Sequence, residues 1–219
     1  MAERYGKIAL VNLRHNLLPY LAAAGLFCLA APLFMGTKNL DAAQSAKVIE
    51  MYLSFLGIIL LMPVFGPDMN REIFDVIRSK KESMVAVSLI RIAQSTFFLL
   101  LAGVGFLFYL KAGNCGFSMA EGVYAFVADA CFLGGLGLAA FAVSDNVAFA
   151  YMIPVVYYIA NIGAGKKYLG KLYLFSMQTG QIRDKGILLA AGIFCIVFAV
   201  WYHLTFPWPV TYNGRHGKQ

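Results

Sequence analysis

Apolar residues fall in six long runs separated by short polar connections, at about 17–35, 51–65, 92–110, 123–143, 147–162 and 187–206. A helix needs roughly 20 apolar residues to cross a bilayer, and in lipid a helix satisfies its own backbone hydrogen bonds. The pattern therefore predicts an all-α integral membrane fold: one transmembrane domain over residues 1–219, with six spans. Turn chemistry supports the boundaries. Pro63, Gly66 and Pro67 close the second run, Ser144-Asp145-Asn146 separates the fourth from the fifth, and Pro207 and Pro209 stop the sixth. The second run is short unless its helix begins within the polar stretch Thr37 to Glu50. The first run is longer than the 7–15-residue apolar core of a cleavable signal peptide, so it reads as a retained span.

Two connections carry more pattern than a loop needs. Residues 2–15 place Ile8, Leu10, Val11 and Leu13 among Arg4, Lys7 and Arg14, which predicts an amino-terminal helix lying in the membrane interface. Between spans two and three, Ile73, Phe74 and Ile77 share one helical face, while Arg71, Asp75 and Arg78 exchange charge at i+3 and i+4 on the other. Ser79 and Glu82 have the spacing of a capping box, so a second helix is expected to start near Lys80 and continue into span three. From charge and periodicity alone, this stretch serves equally as a basic loop holding lipid headgroups or as a docking surface for a partner.

Composition narrows the classes further. The 219 residues are 60% hydrophobic and 13% charged, with a mean hydropathy of +0.70. Soluble domains carry about a quarter charged residues, so a water-facing globule is excluded and the bilayer is the first partner. The net charge of +7 sits between apolar runs, where the bias of cytoplasmic loops toward Lys and Arg accounts for it without nucleic acid. With the amino terminus cytoplasmic, that side receives Arg4, Lys7, Arg14, Arg71, Arg78, Lys80, Lys81, Arg91, Arg215 and Lys218. The other side receives Lys38, Lys47, Lys111, Lys166, Lys167, Lys171, Arg183 and Lys185, a split of only ten to eight. Five of the eight come from residues 166–185. Either that segment is a special outer element, or it is a cytoplasmic amphipathic segment of a five-span protein.

The chain is poor in reaction chemistry. Cys28, Cys131 and Cys195 lie in apolar runs and Cys115 in a connection, which fits neither a disulfide framework nor a metal motif. His15, His203 and His216 are scattered, and no HExxH or GxSxG occurs, so catalysis in this chain is not expected. Gly163-Ala164-Gly165-Lys166-Lys167 has neither the spacing nor the hydroxyl of a phosphate-binding loop. Asp129 stands in the body of span four, where an aspartate costs about 2.5–3.5 kcal/mol on insertion scales. It must face other helices or a wet cavity, with Asn161, Tyr157, Tyr158, Gln94 or Ser95 as candidate partners. It is either a structural anchor or, with Asn161, part of a translocation path. Gly134, Gly135 and Gly137 follow on the same span and suit close helix packing, within the chain or at a subunit interface.

The order of elements resembles the membrane subunits of type-2 ABC exporters. The resemblance rests on an amphipathic amino-terminal helix, a second span ending in Pro/Gly, the stretch REIFDVIRSKKES, four further spans, and an amphipathic segment before the last. Glu72, Ser79, Lys80, Lys81 and Arg91 match that family's glutamate, Ser-basic corner and basic entry into span three. Phe74-Asp75-Val76 departs from the Gly-Thr that often follows the glutamate. The resemblance implies a cytoplasmic coupling helix that docks an ATPase through Arg71, Glu72, Asp75, Arg78, Ser79, Lys80, Lys81 and Glu82.

It also implies an outer amphipathic hairpin over 166–185. There Tyr168, Leu169, Leu172, Tyr173, Phe175 and Met177 would face lipid, Lys167 and Lys171 would snorkel to headgroups, and Gly180 would form the bend. The implied partners are cytoplasmic ATP-binding subunits, which would bind ATP and magnesium, and a second permease subunit, identical or related. The implied place is a bacterial cell membrane, and the implied cargo an amphipathic peptide, drug or lipid-like molecule. The alternative is a membrane immunity, assembly or regulatory subunit that transports nothing.

Overall fold

The computed structural model describes residues 2–69 and 84–205. Their regular structure is helical. The helices are α1 (Ala2–Asn12), α2 (Leu18–Phe34), α3 (Ala42–Lys47), α4 (Phe55–Leu61), α5 (Met84–Ala112), α6 (Met119–Ser144), α7 (Val147–Leu169) and α8 (Asp184–Thr205). A π-helical stretch, Leu13–Leu17, joins α1 to α2, and another, Val48–Leu53, joins α3 to Ser54 and α4. Five runs are long and apolar enough to cross a membrane: Tyr5–Phe34, Ala42–Pro67, Val85–Ala112, Met119–Ser144 and Asp184–Thr205. A sixth apolar helix, Val147–Gly163, is shorter. The described fold is thus compatible with a multi-pass membrane protein.

Several boundaries differ from those read in the sequence. The second apolar run begins at Ala42, because Asp41 accepts the Gln44 N–H at 2.7 Å while the Gln44 side chain accepts the Asp41 N–H at 3.2 Å. That capping box starts the helix inside a stretch read as polar connection. The amino-terminal segment is continuous with the first span through the π-helical stretch instead of forming a separate surface helix. It is held by Asn12, whose Nδ2 donates to Gln94 Oε1 at 2.8 Å, and by Gln94, whose Nε2 donates to the Ala9 carbonyl at 2.9 Å. Gln94 is therefore committed to α1. The helix start near Lys80, the eight docking residues from Arg71 to Glu82, and Pro207, Trp208, Pro209, Arg215, His216 and Lys218 lie outside the described residues.

The runs alternate in direction. Phe65 stacks near Phe141 at 5.9 Å and Phe141 near His203 at 6.5 Å. At the other end of the same three runs, Glu50 and Asp129 both meet Lys185. Thus α3–α4, α6 and α8 run the same way. Helix α7 runs opposite to α6, with Tyr157 against Phe132 at 5.1 Å and the Ala150 carbonyl near Gly137.

Close approach at the centre depends on glycine. A Cβ on Gly135 would stand 2.6 Å from the Gly192 carbonyl, and one on Gly134 would stand 2.8 Å from that of Gly57. Both distances are well inside contact, so α6 touches α8 and α4 backbone to backbone. The glycines of span four therefore pack this chain's own helices.

One end of the bundle is closed by loops. Gly116 N–H donates to Leu40 O and Asn39 N–H to Gly113 O, both at 2.8 Å, pairing the loops 35–41 and 113–118. Residues 170–183 lie at this same end, where Met177, Gln178, Gly180 and Ile182 line a cavity with Ala42, Ala46 and Glu121.

Candidate functional site

Three ionisable side chains from three separate runs meet in the interior. Lys185, at the start of α8, places its Nζ 2.7 Å from Glu50 Oε1 and 2.7 Å from both Asp129 carboxylate oxygens. All three side chains are fully buried. The ammonium also donates to the Leu174 carbonyl. Asp129 is ten residues into α6, about 15 Å along its axis at 1.5 Å per residue. Lys185 meets it there because the 170–183 segment folds back into the bundle, so that α8 begins well below the level at which α6 begins.

The segment is pinned at several points. Glu50 Oε1 accepts the Met177 N–H at 2.6 Å, and Oε2 accepts the Gln178 N–H at 3.1 Å. A carboxylate holding two consecutive backbone donors makes charge-assisted bonds, the stronger kind. Asn161 accepts the Leu174 N–H on Oδ1 at 2.8 Å and donates from Nδ2 to Tyr157 O at 2.8 Å. Both polar ends of Asn161 are thus engaged in the fold. Tyr157 donates its hydroxyl to Leu172 O at 2.6 Å.

The helix that presents Glu50 is itself unusual. Its π-helical stretch widens the backbone turn and exposes carbonyls to side-chain donors. Ser54 Oγ donates to Glu50 O at 2.6 Å, and Tyr158 Oη donates to Met51 O at 2.6 Å. Tyr158 in turn packs edge-on against Phe175 at 5.5 Å, tying the hairpin loop to α7.

These contacts correct the residue-level reading of 166–185. Leu174, Phe175 and Ser176 are buried, so Phe175 points into the bundle instead of into lipid, while Tyr168 and Leu172 are exposed. Met177 is half-buried and its backbone serves Glu50. Gly180 adopts φ +71 at the turn and Gly165 φ +66 where α7 leaves helical geometry, conformations that glycine tolerates. Lys185, counted among the outer surface charges, is fully buried.

Asp129 bonds to Lys185 and to none of the five candidate partners; the ammonium gives a buried carboxyl group a charged donor. The missed signal was chemical. An aspartate within an apolar run needs a donor in the interior, and Lys185 heads the last apolar run.

Beside the cluster, at the loop end, lies a cavity of about 580 Å³. Met177 and Gln178 line it and also donate their N–H groups to Glu50, so one stretch of backbone separates cavity from cluster. A second hollow of about 410 Å³ lies between α2, the α3–α4 run and α7, and is lined by Phe27, Met51, Tyr52, Phe55 and Tyr158. Phe27 and Tyr52 stack there at 4.1 Å. Among the described residues no group of His, Cys, Asp and Glu has the geometry to hold a metal. Comparison with family models, with curated proteins and with solved structures returned no match.

Proposed function

We propose that this chain is the membrane subunit of an ATP-driven exporter, with ATP hydrolysed by a separate cytoplasmic subunit. The observation that carries the reading is α5. It is 29 residues long with no proline, about 43 Å at helical rise, and so longer than a hydrocarbon core of about 30 Å. Its first described residue follows directly on the 70–83 stretch that carries the coupling-helix pattern. A rod of this length passes a push at one membrane face to the other side of the bundle, which a flexible connection does not.

In this reading the chain makes six passes, with the amino terminus cytoplasmic. The fifth pass is the shorter α7, whose far end gives way to the folded-back hairpin at the outer leaflet. Burial removes Lys185 from the outer count and Arg91 from the inner one, leaving nine basic residues against seven. Arg71, Glu72, Asp75, Arg78, Ser79, Lys80, Lys81 and Glu82 form the docking surface for the ATPase. The aromatic hollow between α2 and α7 faces the second membrane subunit and offers an apolar, stacking surface to an amphipathic cargo.

Isolation of the native complex in mild detergent, followed by mass spectrometry, tests this. The expected result is co-purification with an ATP-binding subunit, and loss of that subunit on Arg78→Glu or Lys81→Glu. Recovery of the chain alone, or indifference to both charge reversals, overturns the proposal.

A further inference from the structure

The buried cluster is short of protons. Glu50 and Asp129 ionised against one ammonium leave a net charge of minus one in a site with no exposed side-chain surface. Burying an uncompensated ion costs several kcal/mol even after relaxation. The donors are also unequally shared. Glu50 receives the Met177 N–H, the Gln178 N–H and the ammonium, whereas Asp129 receives the ammonium alone among the described residues.

An ammonium has three protons, yet four acceptor atoms lie around this one: Glu50 Oε1, both Asp129 oxygens and Leu174 O. One proton on Asp129 removes the excess charge and leaves its other oxygen to accept from the ammonium.

Other groups around the site are already committed. From α7, Tyr157 and Tyr158 donate their hydroxyls to Leu172 O and Met51 O. From α5, Tyr109 meets the Thr37 hydroxyl and Lys111 donates to Phe117 O. At the mouth of the hairpin, Lys166 and Asp184 pair at 2.8 Å and cancel. The loop adds Tyr173, and α6 itself adds Tyr124, Cys131 and, at the cavity wall, Glu121.

We propose that the Glu50–Asp129–Lys185 cluster is a binding site for one exchangeable proton, carried on Asp129, and that this proton keeps the 173–179 loop seated in the bundle. On release, the Asp129 O–H bond breaks, the proton passes to water that reaches the site from the 580 Å³ cavity as the intervening Met177–Gln178 backbone opens, and a carboxylate remains. The cluster is then left with excess negative charge, which is relieved when the loop carrying the Met177 and Gln178 donors lifts and water enters. Ser45 Oγ, Ser176 Oγ and Gln178 Nε2 are buried without hydrogen-bond partners among the described residues, and they supply polar atoms for that water. The inference goes beyond the exporter reading and stands without it.

Infrared difference spectroscopy on the purified full chain in lipid nanodiscs tests the proposal. At neutral pH a protonated carboxylic acid band is expected, shifted by aspartate carrying heavy carbon at its carboxyl and unmoved by similarly labelled glutamate. This isotope test needs no substitution and so does not depend on any variant folding. Asp129→Asn and Glu50→Gln should each abolish the band, since either change restores neutrality, and Lys185→Met should double it. Amide exchange of residues 173–180, corrected for intrinsic rate, should rise tenfold or more between neutral and alkaline pH in the native chain and stay flat in Asp129→Asn. No band at neutral pH, a band that follows the glutamate label, or exchange of the native loop that ignores pH would each overturn the proposal.

Discussion

Replacing Lys185 with methionine keeps most of the side-chain volume and removes the charge, so it isolates the electrostatic part of the cluster. The ammonium currently serves both carboxyl groups and the Leu174 carbonyl, and none of the three side chains reaches solvent. Removing one partner of a buried ion pair destabilises by about 3–5 kcal/mol, because the other charge is left unpaired. At about 2–4 °C per kcal/mol for a chain of this size, Lys185→Met should unfold roughly 6–20 °C below the native protein.

Thermal unfolding in detergent, followed by the monodisperse fraction on size exclusion, reads this shift. The loss should be smaller in acid, where protonating the two carboxyls that the variant leaves without a cation no longer costs free energy. The variant carrying Glu50→Gln, Asp129→Asn and Lys185→Met together should recover at least half of it, since replacing a whole buried ionic group is often close to neutral. A shift under about 2 °C for Lys185→Met, less than 1 kcal/mol on the same scale, would mean that water solvates the cluster, and the reasoning from burial would fail.

Two further substitutions probe the supports around the cluster. Asn161→Ala leaves the buried Leu174 N–H without its acceptor, at a cost of about 1–3 kcal/mol; faster amide exchange at residues 173–176 with α6 unaffected is the expected reading, and unchanged exchange contradicts it. Gly192→Leu would set a side chain against the backbone of Cys131 and Phe132, where a Cβ already comes within 2.7 Å of the Phe132 nitrogen, so the folded fraction on size exclusion should collapse, whereas Gly25→Leu, on a face with nothing within 4 Å, should be tolerated.

The helices were legible in the sequence because a long apolar run shows directly: five of the six runs are helices long and apolar enough to cross a membrane, and the fifth in order is a shorter one. What was not legible depended on how runs face one another. Glu50 stands at the edge of a polar stretch and looked like part of a connection, until the Asp41–Gln44 capping box moved the helix start back to Ala42.

Lys185 adjoins Arg183 and Asp184 and looked like one more surface charge; only the fold-back of 170–183 carries it down to Asp129. The exporter resemblance set Phe175 toward lipid, yet its place against Tyr158 is set by the loop's hydrogen bonds to Glu50 and Asn161. The glycines of span four were identified as packing residues from their size alone, but their partners, Gly57 on α4 and Gly192 on α8, required the structure.

Two-sided accessibility labelling tests the six-pass topology. Single cysteines placed at Lys80 and at the exposed Lys171, each compared with the chain bearing only its native cysteines, are treated with a membrane-impermeant thiol reagent in intact cells and in inverted vesicles. Lys171→Cys is expected to label from the outside and Lys80→Cys from the cytoplasm, as six passes require. Labelling of both positions from the same side would remove the outer hairpin, and the exporter topology would fall with it.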